Sequence, residues 1–253
     1  MAPPAEATAD ARDLLRDRTI AERRRSHQLY LALTLFLIAT VITGFWPSYF
    51  GTLLSGAATR PLVMHLHGAI FTGWMALLFL QVGLAATGRV RLHRQVGRAG
   101  IGYGVLVFVM GVIVTFAAPV MHVRAGTWTV DAAAGFLLLP IGDMILFAGF
   151  FGAAIAYRHQ PDIHKRLIIA ATVALAFAAV ARLNLPLLPF FLLWLSPMAI
   201  AMGFDIVTRG RVHRVDAIST AVMALAFFRV LFVASEGWLV VGRAMLRPFL
   251  QLS

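Results

Sequence analysis

The stretch Leu62–Ala86, LVMHLHGAIFTGWMALLFLQVGLAA, runs for twenty-five residues without one Asp, Glu, Lys or Arg. An α-helix rises about 1.5 Å per residue, so roughly twenty apolar residues cross the hydrocarbon core of a bilayer. This stretch exceeds that length and is fenced by Arg60 and Pro61 before it and by Gly88 and Arg89 after it. It reads as a transmembrane helix. The same ruler finds six more spans, at 29–47, 100–118, 132–157, 167–181, 188–207 and 218–233. The span at 167–181 is the shortest, with room to begin earlier. The sequence therefore predicts an all-α fold, a polytopic transmembrane bundle of seven spans.

Composition agrees. Of 253 residues, 60% are apolar and 13% are charged, against about 25% charged in an ordinary soluble domain. The formal charge of +11 on so apolar a chain is loop charge rather than a nucleic-acid surface. With no cysteine, disulfides, thiolate metal sites, iron–sulfur clusters and thiol nucleophiles are excluded.

Basic residues orient the spans. Residues 1–28 carry Arg12, Arg16, Arg18, Arg23, Arg24 and Arg25, and the second loop adds Arg89, Arg91, Arg94 and Arg98. Arg158, Lys165 and Arg166 follow in the fourth loop and Arg209, Arg211 and Arg214 in the sixth, sixteen in all on one side. Five, Arg60, Arg124, Arg182, Arg243 and Arg247, fall on the other. The positive-inside rule then predicts an inside N-terminus and an outside C-terminus. Residues 1–28 are expected to be a cytoplasmic basic leader without fixed structure, 29–234 the bundle, and 235–253 a short outer segment. The first apolar core exceeds the roughly 7 to 15 residues of a signal peptide, so it reads as a retained anchor.

Polar groups at membrane depth carry the functional information, because each buried charge needs a partner or a water-filled cavity. Asp143 lies about 21 Å from the cytoplasmic border of its span and Arg229 about 20 Å, at matched depth; Arg182 lies about 24 Å and His67 about 30 Å from theirs. Two readings stand. In one, Asp143 and Arg229 form a structural ion pair while Arg182 reaches outer headgroups. In the other, an outward-opening pocket uses the surplus arginine charge, with His67, to hold a small anion such as a substrate carboxylate or haem propionates. Pro140, which frees the carbonyl of Phe136, and Gly142 make 137–143 a natural wall for such a pocket.

The histidines suggest further sites. His65 and His67 lie about 200° apart on a helix and so do not chelate one ion together, whereas His67, Trp74 and Gln81 recur every seven residues as one polar stripe. A b-type haem needs histidines from two helices at one depth. On the outer side His65 or His67 would meet His122; on the inner side His93 and His164, each at a helix edge, offer an anion, quinone or haem site or simple headgroup contact. Gly100, Gly102, Gly104, Gly111, Gly149 and Gly152 read as packing positions. A retinal Schiff base is excluded because the only lysine, Lys165, sits at a cytoplasmic edge. Phosphate-loop and serine-hydrolase motifs are missing as well.

Taken in order, His65-Leu66-His67-Gly68 with Trp74 and Gln81, Gly88-Arg89 and Leu92-His93-Arg94 with Gly97, Gly142-Asp143, His164-Lys165-Arg166-Leu167 with Arg182, and then Asp205 and Arg211 to His213 resemble an uncharacterised bacterial family of multi-pass inner-membrane proteins. That resemblance implies the location and no defined activity. A more distant similarity, carried by the membrane histidines, is to cytochrome b-type haem bundles and implies haem b. Three functions are therefore carried forward: an accessory or assembly subunit of a membrane complex, placed first because no soluble catalytic domain is evident; a redox-linked haem- or quinone-binding protein; and a small-anion transporter. The topology is testable with reporters fused after Arg98, Arg124 and Ser253. The first should report inside and the other two outside, whereas an inside signal from Ser253 breaks the seven-span count.

Overall fold

A computed structural model describes residues 5–57 and 60–251, with side chains from Ala21 onward, and every regular element among them is helical. In chain order these are α1 (Ala5–Phe45), α2 (Gly51–Leu54), α3 (Leu62–Ala86), α4 (Val90–Arg124), α5 (Val130–Ala156), α6 (Pro161–Ala181), α7 (Leu187–Arg209), α8 (Arg214–Phe227) and α9 (Glu236–Gln251). A π-turn, Trp46–Phe50, joins α1 to α2, and a 3₁₀ turn, Phe228–Phe232, extends α8. Seven helical segments are long and apolar enough to cross a membrane, the architecture of a multi-pass membrane protein. The ends differ from the apolar runs where polar residues continue a helix. α4 starts at Val90, ten residues before its apolar run, because Arg91 to Arg98 contains no breaker before Gly97. α6 starts at Pro161, whose missing N–H is harmless in a first turn.

The helices close into a ring. α1 packs on α3, α3 on α4, α4 on α5, α5 on α6, and α6 back on α1, while α7 and α8 pack on the outside of α6. Lipid tails are as apolar as leucine, so helices in a membrane associate by close van der Waals packing rather than by escape from water. Small residues therefore set the geometry. α6 is the most deeply covered span, and Ala170, Ala171, Ala174, Ala176 and Ala179 make it thin enough to be surrounded. A side chain at Gly44 would strike the main chain of Ala179, and one at Gly104 would strike Phe151.

Trp74 of α3 fills the ring. It is 4% exposed, stands edge-on to Phe147 and Phe151 of α5, and donates its indole N–H to Thr172 of α6 at 3.3 Å. The hydrogen bond satisfies the one polar atom of a large buried side chain, so the residue specifies packing between three helices.

Two ends result. Residues 21–28 and the turns 87–89, 157–160 and 210–213 form an arginine-rich end; residues 55–57 and the turns 125–129, 182–186 and 233–235 form the opposite one. At that opposite end α9 lies against α5, through Gly242 and the fully buried Leu246, with Trp238 donating to the Ala134 carbonyl at 2.9 Å. Arg243 ties α9 to Asp131 of α5 at 2.6 Å and to Glu236 at 3.0 Å.

Candidate functional site

Three polar constellations occupy the bundle. The first sits at the arginine-rich end. α6 opens with Asp162, and one turn on come Lys165, 2.6 Å from Asp162, and Arg166. The Arg166 side chain is 3% exposed, and its two terminal nitrogens engage different helices, Asp205 of α7 at 2.8 Å and Asp216 of α8. The second oxygen of Asp205 accepts the main-chain N–H of His213 at 3.2 Å. His213 is brought there by Gly210, which ends α7 in the left-handed conformation (φ 69°). Its Nδ1 accepts the N–H of Val215 and so caps α8. Burial, then the positive charge of Arg166, lowers the His213 pKa, which fits a neutral ring whose Nδ1 is an acceptor. The sequence counts Arg166 among the loop basic residues, which conceals this network. One signal for it was present: Asp205 is an acid inside the predicted span 188–207.

The second constellation joins the two residues predicted at matched depth. Arg229, on the 3₁₀ turn after α8, donates to Asp143 of α5 and to the Ala226 carbonyl at 2.9 Å, and its guanidinium lies over the Phe177 ring at 4.6 Å. Gly142 lies directly under that side chain, and any Cβ there would collide with it. The pair is nearly sealed, at 10% and 7% exposure. Arg182 is elsewhere. It donates to the Ala178 carbonyl at 2.7 Å and covers the Phe45 ring at 4.1 Å. His67 packs against the Phe71 ring at a tilt of 44° and lies within electrostatic reach of Arg182. An anion held jointly by both arginines would have to displace Asp143 from Arg229. His65 turns the other way, to the Tyr49 hydroxyl at 3.4 Å, as the 200° separation requires.

The third constellation gathers Gln81, His93 and His164. α4 and α6 flank α5, and His93 and His164 sit in the first turns of α4 and α6, near enough to interact electrostatically. His164 Nδ1 lies 2.8 Å from the Ala154 carbonyl in the last turn of α5, and His93 Nδ1 lies 3.2 Å from the Gln81 main-chain carbonyl in α3. A carbonyl oxygen only accepts, so the His164 ring carries its proton on Nδ1 and offers the Nε2 lone pair, whereas His93 Nδ1 faces both the Gln81 carbonyl and the Gln81 amide N–H. The Gln81 carboxamide packs beside His93, its oxygen accepting the Gly97 N–H at 2.8 Å. His122, expected as an outer partner, instead stacks on Trp128 and pairs with Thr127 at 2.9 Å.

Among the described residues no three His, Asp or Glu side chains converge as they would on a bare metal ion. No family model, curated protein or solved structure matches the chain.

The Asp143–Arg229 pair is testable by a double-mutant cycle. Removing one member of a buried pair leaves an uncompensated charge, so Asp143→Asn or Arg229→Gln alone should cost about 3–5 kcal/mol in detergent unfolding. The double change should be milder than either single one; additive losses would show that the two side chains act separately.

Proposed function

We propose that the chain is a redox-linked protein of the bacterial inner membrane in which His93 and His164 would hold a b-type haem. The observation that carries this reading is the pair of imidazoles on two helices at one end of the ring, each held through Nδ1, His164 by the Ala154 carbonyl and His93 by Gln81. A hydrogen bond from the non-ligating nitrogen fixes the ring's tautomer and orientation and raises the basicity of the ligating one. Haem brings four nitrogens of its own, so it needs only two protein ligands, the number present here. Gln81 is a positioning residue, holding His93 through its main-chain carbonyl and its amide. Gly97 and Gly100 keep α4 slender beside that pair, with Gly97 facing Gln81 and Gly100 facing Leu77 of α3. When bound, the haem would supply one-electron chemistry.

The test is an absorption spectrum of detergent-purified protein, air-oxidised and then dithionite-reduced. A b-type spectrum should appear and be lost in His93→Ala and in His164→Ala, while His65→Ala and His67→Ala retain it. A colourless protein from haem-replete cells, or a spectrum indifferent to His93 and His164, overturns the reading; a colourless protein that retains quinone moves the site to the quinone reading.

A second reading, as an accessory or assembly subunit of a membrane complex, draws on the sealed ion pairs. Asp143 pairs with Arg229, and Arg166 bridges Asp205 and Asp216, so buried charge joins helices as in a scaffold. That reading expects stoichiometric partners on mild solubilisation and no colour.

A further inference from the structure

The buried trio at the arginine-rich end is not electrically balanced. Fully ionised, Arg166 carries one positive charge against two negative ones on Asp205 and Asp216, with side-chain exposures of only 3%, 1% and 2%. Taking charge out of water is costly unless it is neutralised nearby.

Two polar atoms in the same place lack protein partners. The Tyr30 hydroxyl of α1 is buried, on a residue 6% exposed, and it lies in the field of Arg166, Asp216 and Asp205. The Arg166 Nε is buried and unpartnered too. Unsatisfied buried polar atoms beside surplus carboxylate charge mark a place for a bound water or an exchangeable proton.

The surroundings reach solvent. Arg209 of α7 spans the half-exposed Asp162, at 3.4 Å, and Asp205, at 3.9 Å. Lys165 of α6 contacts Asp162 at 2.6 Å and Ser26 of α1 at 3.0 Å, and lies over the Tyr30 ring. Among the described residues the capping His213 also faces the cluster, and His27 and Arg23 of α1 lie beyond Lys165. Lys165, Arg209 and Asp162 would bring the total to zero, but they are 28%, 38% and 51% exposed and screened by water, so the inner surplus persists.

We propose that Asp205 and Asp216 form a proton-binding site that holds one exchangeable proton between them, beside Arg166 and the Tyr30 hydroxyl. The proton comes from water at the arginine-rich end. It forms an O–H bond on one carboxylate and takes the trio from a net charge of minus one to zero, with nothing oxidised or reduced. The site stands on different residues from the haem reading and does not depend on it.

The experiment is infrared difference spectroscopy of the full chain in lipid nanodiscs, titrated between about pH 8 and 5, where unpaired exposed carboxylates stay ionised. A carboxylic-acid C=O band should grow on acidification, shift in D₂O, persist in Asp143→Asn, and vanish in Asp205→Asn or Asp216→Asn. Tyr30→Phe, which removes only a hydroxyl with no protein partner, should displace the band's midpoint and serves if the Asp variants do not fold. No titrating band in the native chain, a band that survives both Asp205→Asn and Asp216→Asn, or an unmoved midpoint in Tyr30→Phe overturns the proposal.

Discussion

One guanidinium organises the arginine-rich end of this bundle. Arg166 is almost wholly removed from solvent and bonds at once to Asp205 of α7 and Asp216 of α8. A buried guanidinium is tolerated only beside compensating negative charge, so α7 and α8 are bound to take up positions that bring their carboxylates to it. The constraint extends into the turn between them: Asp205 also accepts the N–H of His213, whose ring starts α8. α7, the 210–213 turn and α8 are thereby registered against α6 by a single side chain.

α6 is the hub on which the other constellations are built. Successive residues of a helix point about 100° apart, so His164 and Arg166, two positions apart, face nearly opposite ways. One turns to the end of α5 and the other to α7 and α8. Further along, Thr172 receives the Trp74 indole, Phe177 lies under Arg229, and Arg182 reaches back over Phe45 of α1. The alanines between these residues let four helices, α1, α5, α7 and α8, approach one axis. Packing and polar chemistry thus share one helix, split by face.

The spans were legible because length and apolarity are one-dimensional properties, and the stretch Leu62–Ala86 alone settles the class. Matched depth joined Asp143 to Arg229 for a similar reason: rise per residue converts sequence position to height. Height says nothing of azimuth, so depth alone leaves both readings of Arg182 and Arg229 open, whereas in the structure Arg182 lies over Phe45 and Arg229 over Phe177. The same limit hid the Arg166 network. A basic residue near a span end reads as topology, and only the three-dimensional approach of α7 and α8 turns Arg166 inward. Trp74 and Gln81 were found by period but not by role, since the partners that define them, Thr172 and His93, are on other helices.

The most direct test of Arg166 as the organising contact is equilibrium unfolding in detergent of Arg166→Met alone and combined with Asp205→Leu and Asp216→Leu. Removing the guanidinium strands two buried carboxylates, so the single change should cost about 3–5 kcal/mol, and replacing all three by apolar residues should recover most of it. Native-like stability of Arg166→Met, or a triple variant weaker than the single one, would contradict the account.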